Sequence, residues 1–115
     1  MKVTVYHNPR CQTSRKALKL IGEHSGEVEV IEYLRDPPSA SRLKKLIAAL
    51  GIDARGLMRK KEPLYESLGL AAAKWSEAEL VGFMVDHPIL IERPIVVTEK
   101  GVRIARPPEK ALEVF

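Results

Sequence analysis

Cysteine is almost absent from this sequence, with one residue, Cys11, among 115. A single thiol cannot form an internal disulfide, so a redox cycle at Cys11 needs a thiol from another molecule. A chain of this length can bury enough surface to fold without a disulfide or a metal. The composition, 45% hydrophobic and 30% charged, predicts one globular domain over residues 1–115.

Long apolar runs are also missing. None approaches the roughly 20 residues that a membrane-spanning helix needs. The first ten residues lack the apolar block of a signal peptide. We therefore expect a cytoplasmic protein with no membrane partner.

Aromatic residues are scarce, at 5% of the chain. The net charge is +4, but the two signs are mixed, and the densest basic run, Arg59-Lys60-Lys61, is followed by Glu62. A surface that stacks nucleic-acid bases combines basic residues with aromatic ones, and no such pattern occurs here. We expect no nucleic-acid partner, because a small anionic substrate accounts for the positive charge equally well.

Hydrophobic patterns at the two ends of the chain predict a sheet. Residues 3–6 alternate as a first strand, a helix follows over 12–24 and ends at Gly26, and residues 28–33 form a second strand. This order is that of a parallel, right-handed βαβ unit.

The C-terminal part predicts a second sheet-forming half. Residues 95–97 form a short buried strand, a turn follows at 99–101, residues 102–105 return antiparallel, and residues 109–115 form a last helix. Gly101 is placed for the positive φ that such a turn requires.

The intervening residues, about 39–87, are predicted to be helical and form an insertion between the two halves. Ser39 is a predicted N-cap, and apolar residues follow at helical spacing until Gly51 ends the helix. Ser76 and Glu79 have the spacing of a capping box at the start of a later helix.

Cys11 lies where the first strand, a loop and the first helix meet. The loop around it is polar, and Arg10 and Arg15 add positive charge. A helix N-terminus beside cations stabilises a thiolate, so this pattern predicts a reactive cysteine with a lowered pKa. The alternative is a small buried hydrophobic residue, as free cysteine commonly is. The polar neighbours favour the reactive thiol.

The segment His7–Arg15, HNPRCQTSR, closely resembles the active-site loop of glutaredoxin-coupled arsenate reductases, the ArsC family. The resemblance implies an α/β thioredoxin-like fold, a βαβ unit followed by a ββα unit in one mixed four-stranded sheet. It also implies a cis peptide at Arg93–Pro94, opposite the cysteine. It extends, in order, through Tyr33-Leu34, Pro37-Pro38, Leu57–Lys60 and His87–Val97, and ends at Arg106-Pro107.

The resemblance implies arsenate as substrate and a role for six residues. An arginine side chain can hold the oxygens of a tetrahedral anion with its planar fork. The implied nucleophile is Cys11, the implied oxyanion-binding residues are Arg59, Arg93 and Arg106, and the implied supporting residues are His7 and Ser14.

Each of these arginines also has a simpler explanation. Arg59 can be a solvated charge in its basic run, and Arg93 can simply begin a strand. Arg106 can pair with Glu109 at a strand end. A shared anion site remains the prediction to test.

Three polar residues near Cys11 leave alternatives open. His7 can serve only to hydrogen-bond the loop, and Ser14 can be a helix N-terminal hydroxyl without a chemical role. Gln12 stands where the best-known reductases carry glycine, and its side chain can narrow the anion site or alter glutathione docking.

The implied reaction is the reduction of arsenate to arsenite. The Cys11 thiolate attacks arsenic and expels water or hydroxide, glutathione attacks next as a co-substrate, and glutaredoxin reduces the adduct. Ser14 stands where a CxxC motif has its second cysteine, so the chain has no resolving thiol. We expect no metal and no bound cofactor, and we expect a monomer.

Two other functions stay open. Spx-type transcription regulators share this fold and act as interaction proteins that bind RNA polymerase. The CxxS form and the three arginines favour the enzyme, since Spx proteins typically rely on CxxC. The other alternative is a glutathione-dependent thiol oxidoreductase with a different substrate.

Overall fold

The first strand, β1 (Lys2–His7), is an inner strand of a four-stranded sheet in a computed structural model that describes residues 1–115. It pairs in parallel with β2 (Glu27–Glu32) and antiparallel with β3 (Ile95–Thr98), and β4 (Gly101–Ile104) pairs antiparallel with β3. The strand order is β2-β1-β3-β4. This is the mixed sheet predicted for a thioredoxin-like fold.

The hydrophobic core of this half lies between the sheet and helix α1 (Gln12–His24). Val3 and Val5 alternate along β1 and are completely buried, as β-branched residues on a covered sheet face should be. Ala17 and Ile21 are four residues apart, so they face the same core from one side of the helix. Burial of a valine or isoleucine side chain contributes about 1.5–3 kcal/mol.

Helix α1 has the predicted bounds, but its predicted end at Gly26 is wrong. Ser25 is the C-cap, with an extended backbone at φ −147° and its N–H bonded to the carbonyl of Ile21. Strand β2 begins at Glu27, so the chain leaves the helix directly in an extended conformation and needs no left-handed glycine.

The peptide bond Arg93–Pro94 is cis, as predicted. Arg106–Pro107 is also cis, which the sequence did not indicate. The Ala105 N–H donates to the carbonyl of Pro94 at 2.9 Å. This hydrogen bond joins the start of β3 to the end of β4 and so places the two arginines near one another.

The predicted hairpin connects β3 to β4, and Gly101 at its end has φ 147°. The predicted last helix is present as a 3-10 helix over Pro108–Val114. Ala111 and Val114, three residues apart, are both buried, and the three-residue turn of a 3-10 helix puts them on one face. The Thr98 hydroxyl donates to the carbonyl of Val114 and ties down this end.

Residues 37–92 form a second compact unit, distinct from the unit made by 1–36 and 93–115. The single domain with an insertion at about 39–87 stays a prediction. No helix in the structure is both long and apolar enough to cross a membrane. The second unit contains α2 (Ala40–Leu50), α3 (Pro63–Ser67) and α4 (Glu77–Asp86), with 3-10 helices at Ala54–Leu57 and Pro88–Leu90.

The helix ends predicted for the second unit are confirmed. The Ser39 hydroxyl accepts from the N–H of Arg42, and Gly51 closes α2 in the left-handed conformation at φ 69°. Ser76 and Glu79 form a complete capping box at the start of α4.

Candidate active site

Cys11 is the N-cap of α1, at the carboxyl end of β1. The first turn of α1 contains no acidic residue, so no protein carboxylate there neutralises the positive end of the helix dipole. The Cys11 backbone turns tightly out of the strand, with its N–H donating to the carbonyl of Asn8 at 3.0 Å. Gln12 is the exposed first residue of the helix.

Burial of the thiol raises the pKa of Cys11, but hydrogen bonds and charge outweigh this and lower the pKa to about 7. Among the groups that lower the pKa, the Ser14 backbone N–H has the largest effect. Its contact with the Cys11 sulfur falls short of a full capping hydrogen bond. Hydrogen bonds from the side chains of Arg93 and Arg106 have the next largest effects, and the positive charge of Arg93 lowers the pKa further. The thiolate is therefore favoured at a lower pH than in an ordinary cysteine.

Two of the predicted arginines meet at the Cys11 sulfur. The Arg106 Nη1 atom lies 3.7 Å from Sγ and also donates to the carbonyl oxygen of Arg93 at 3.2 Å. The Arg93 side chain is half-buried and that of Arg106 is exposed. Arg93 precedes β3 and Arg106 follows β4, so both lie at the open end of the β3–β4 hairpin, where the hydrogen bond between Ala105 and Pro94 holds the two chain segments together.

The predicted supporting residues, His7 and Ser14, contact each other. The His7 Nδ1 and Ser14 Oγ atoms are 2.7 Å apart, and the Asn8 N–H donates to the same hydroxyl at 3.1 Å. Ser14 is completely buried, so its hydroxyl is a structural link between β1, the loop and α1. Either tautomer of a neutral imidazole satisfies this contact.

Burial lowers the pKa of His7. The carboxylate of Glu32, its partner across the parallel strand pair, opposes this effect, and the Arg15 charge adds to it. The net pKa lies below the usual histidine value, so His7 is mainly neutral at pH 7.

Two further contacts of the loop were not indicated by the sequence. The Asn8 side-chain oxygen accepts from the Arg10 N–H at 3.0 Å, and Arg15 Nη1 donates to the carbonyl of Pro9 at 2.8 Å. The Asn-Pro pair suggests a turn in the sequence, but only the structure shows which donors its oxygens accept. Arg15 therefore braces the loop and does not contact the thiol.

Arg59 lies in the second unit, where it is mostly buried between two carboxylates. Its Nε atom is 3.2 Å from Glu62 and its Nη1 atom is 3.4 Å from Glu92. It is therefore not simply a solvated charge. Its place in the anion site stays a prediction.

This geometry supports a nucleophilic thiolate with two guanidinium groups beside it. Such donors are placed to hold the oxygens of an anion while negative charge builds up at the sulfur-bound centre. No group of three or more His, Cys, Asp or Glu side chains is arranged to hold a metal ion.

The chain matches proteins of known sequence over most of its length. A sequence model of the ArsC family matches residues 6–114. An arsenate reductase of Yersinia enterocolitica is 51% identical over 113 residues, which are 98% of this chain and 80% of that protein. An Escherichia coli protein named uncharacterized protein YfgD is 50% identical over 114 residues, 98% of this chain and 96% of its own length.

A solved structure shows the same fold. The arsenate reductase from Vibrio cholerae superposes with a TM-score of 0.96 at 44% identity, covering 100% of this chain and 98% of that one. The fold described above is therefore shared with a solved protein of similar sequence.

Proposed function

Because the chain belongs to the ArsC family, we propose that it is an arsenate reductase that uses Cys11 as its nucleophile and draws its electrons from glutathione and glutaredoxin. The observation that carries this proposal is the cluster of Cys11, Arg93 and Arg106, in which the pKa of the thiol is lowered to about 7. Relatives named arsenate reductase at about 50% identity support the substrate.

The first step is attack of the thiolate on arsenic. A sulfur–arsenic bond forms, water or hydroxide leaves, and arsenic keeps its oxidation state. Arg93 and Arg106 hold the arsenate oxygens by charge-assisted hydrogen bonds, which are stronger than neutral ones. Because both cations already lie beside the sulfur, little reorganisation accompanies the attack.

The electrons come from outside the chain. The glutathione thiolate displaces a second hydroxide from the arsenic bound to Cys11 and forms a sulfur–arsenic bond. A glutaredoxin thiolate then attacks the glutathione sulfur, which forms a glutathione–glutaredoxin disulfide and leaves the electron pair on arsenic. Water finally cleaves the bond between Cys11 and arsenic and releases arsenite. The two electrons gained by arsenic are balanced by oxidation of thiols, and this chain has one thiol alone. The reducing glutathione pool of the cytoplasm suits this cycle, and a monomer suffices for it.

Arg59 is proposed as a third ligand of the arsenate. Its guanidinium is held by Glu62 and Glu92, which fixes its direction. These carboxylates also offset part of its charge, so we expect its contribution to be smaller than that of Arg93.

The test is arsenate-dependent oxidation of NADPH in the presence of glutathione, glutaredoxin and glutathione reductase. We expect turnover with the parent protein and none with Cys11→Ser. Turnover that survives in Cys11→Ser would require another nucleophile. No turnover with the folded parent protein would reject the proposal and favour an interaction protein.

A second comparison separates this function from a general thiol oxidoreductase. The same coupled assay is run with a small disulfide in place of arsenate. An arsenate reductase should lose arsenate turnover in Arg93→Lys while its reaction with a neutral disulfide changes little. Equal losses for both substrates would point to the oxidoreductase.

A further inference from the structure

A cavity of about 340 Å³ lies beside the loop that carries Cys11. It is bordered by the loop after β1 and the turn after β2, at the carboxyl ends of two adjacent parallel strands. Open α/β sheets bind ligands at this end of their strands. The residues that line it are Asn8, Pro9, Arg10, Glu32, Leu34 and Arg35.

Three charged side chains border this cavity, and Glu32 acts electrostatically on His7. The guanidinium groups of Arg10 and Arg35 and the Glu32 carboxylate make no hydrogen bond or ion pair in the structure. Their backbones, in contrast, are held in place. The Arg10 N–H donates to the Asn8 side chain at 3.0 Å, and the Arg35 N–H donates to the carbonyl of Glu32 at 2.9 Å.

We propose that this cavity binds the glutathione that attacks the arsenic adduct of Cys11. The proposal rests on the proposed function, since that function requires glutathione next to the thiol. Glutathione carries two carboxylates and one ammonium group, and the cavity offers two guanidinium groups and one carboxylate. Its volume lies within the roughly 300–1,000 Å³ of ligand pockets in general.

The position of the cavity suits this role. Arg10 directly precedes Cys11, so a tripeptide held by Arg10 has its thiol close to the nucleophile. Pro9 and the exposed side chain of Leu34 provide apolar surface for the methylene groups of the ligand. The arsenate-binding arginines come from the β3–β4 hairpin, so both substrates can be present together.

The test is thiol–disulfide exchange without arsenate. The Cys11 thiolate attacks one sulfur of glutathione disulfide, a Cys11–glutathione disulfide forms, and a glutathione thiolate leaves. The second-order rate constant is compared with that for bis(2-hydroxyethyl) disulfide, which is neutral and lacks the peptide. The ratio of the two rate constants cancels changes in the reactivity of the thiol itself.

We expect Arg35→Ala to lower this ratio about two- to fivefold, as for loss of one exposed charge contact. The double variant with Arg10→Ala and Arg35→Ala should lower the ratio further. Arg42→Ala removes the same charge from an exposed helix residue that does not line the cavity, and it should leave the ratio unchanged. Arg35→Gln removes the charge but keeps a polar side chain with two methylene groups, and it should lower the ratio as Arg35→Ala does. Thermal unfolding of every variant checks that the fold is retained.

Equal ratios in Arg35→Ala, Arg42→Ala and the parent protein would overturn the cavity assignment. An unchanged KM for glutathione in the double variant, with arsenate turnover intact, would also overturn it. If the parent protein shows no arsenate turnover but the variants show the expected ratios of exchange rate constants, the proposed function is rejected and the glutathione cavity is supported.

Discussion

At Cys11, two opposing effects set the charge of one sulfur atom. Partial burial disfavours the thiolate, whereas the Ser14 N–H and two guanidinium groups favour it. The Ser14 N–H and the two guanidinium groups outweigh burial, so the pKa of the thiol falls to about 7. The same arginines that stabilise the free thiolate are those proposed to bind the arsenate.

Alkylation of Cys11 by iodoacetamide should show a pH midpoint at about 7. The rate falls as the pH decreases through this value, because the thiolate is the reacting form. Since the folded pKa lies below the unfolded one of about 8.5, the thiolate stabilises the fold fully above that pH, and this contribution is lost as pH falls through about 7. Cys11→Ser should give no product, and a midpoint near 8.5 would contradict the site described here.

Arg93→Lys should keep the fold but lower kcat/KM for arsenate about ten- to a hundredfold. Lysine keeps the charge but lacks the two-pronged guanidinium, and a charge-assisted hydrogen bond is worth about 1.5–3 kcal/mol. Arg59→Lys should lose less, and Arg42→Lys is the surface control. Added arsenate should also slow alkylation of Cys11 less in Arg93→Lys than in the parent protein. Unchanged kinetics in Arg93→Lys would remove this residue from the anion site.

At the scale of elements, β1, the loop and α1 act as one assembly around Ser14. Its hydroxyl joins the last residue of the strand to the loop, and its backbone N–H belongs to the first turn of the helix. Side chain and backbone therefore have separate roles. The hydroxyl positions the loop, while the N–H acts on the thiol.

Ser14→Ala should lower the free energy of unfolding by about 1–3 kcal/mol, because it leaves the buried Asn8 N–H and His7 Nδ1 without this oxygen. The midpoint of Cys11 alkylation should stay near 7, since alanine retains the backbone N–H. Urea unfolding and pH-dependent alkylation measure the two effects. Ser41→Ala, on the exposed face of α2, is the control and should change stability by less than about 0.5 kcal/mol. Unchanged stability together with a raised midpoint would reverse these roles.

At the scale of the whole molecule, the chain holds one thiol and a net charge of +4. The charge favours the approach of anions, an effect that salt weakens. In the proposed reaction, the single thiol requires a thiol from another molecule at every turnover. Both properties belong to the chain as a whole rather than to one element.

Without glutathione, the protein mixed with arsenate should release no arsenite. Cys11 can form the adduct, but arsenic needs two electrons and the chain offers no second thiol to complete a disulfide. Addition of glutathione and glutaredoxin should give many arsenite molecules per chain, measured by chromatography of the arsenic species. Repeated arsenite release from the protein alone would indicate a reductant other than thiols.

The sequence by itself determined most of the elements and predicted Cys11 as the reactive thiol. Alternating valines marked β1, helical spacing and caps such as Ser39 and the Ser76–Glu79 pair marked helices, and the polar loop before a helix marked Cys11. These signals are local, because they depend on propensity, periodicity and hydrogen bonds within a few residues. The misplaced end of α1 shows their limit, since the need to enter β2 at once overrode the usual glycine.

The family resemblance named Arg93 and Arg106, but only the tertiary structure shows that their side chains meet the thiol. Arg93 and Arg106 are adjacent because β3 and β4 pair and Ala105 bonds to Pro94, and no local pattern encodes that distance. The cavity at the ends of β1 and β2 depends likewise on the register of these two parallel strands. Contacts between residues distant in sequence arise from the packing of the whole sheet, so they become visible only once the chain is folded.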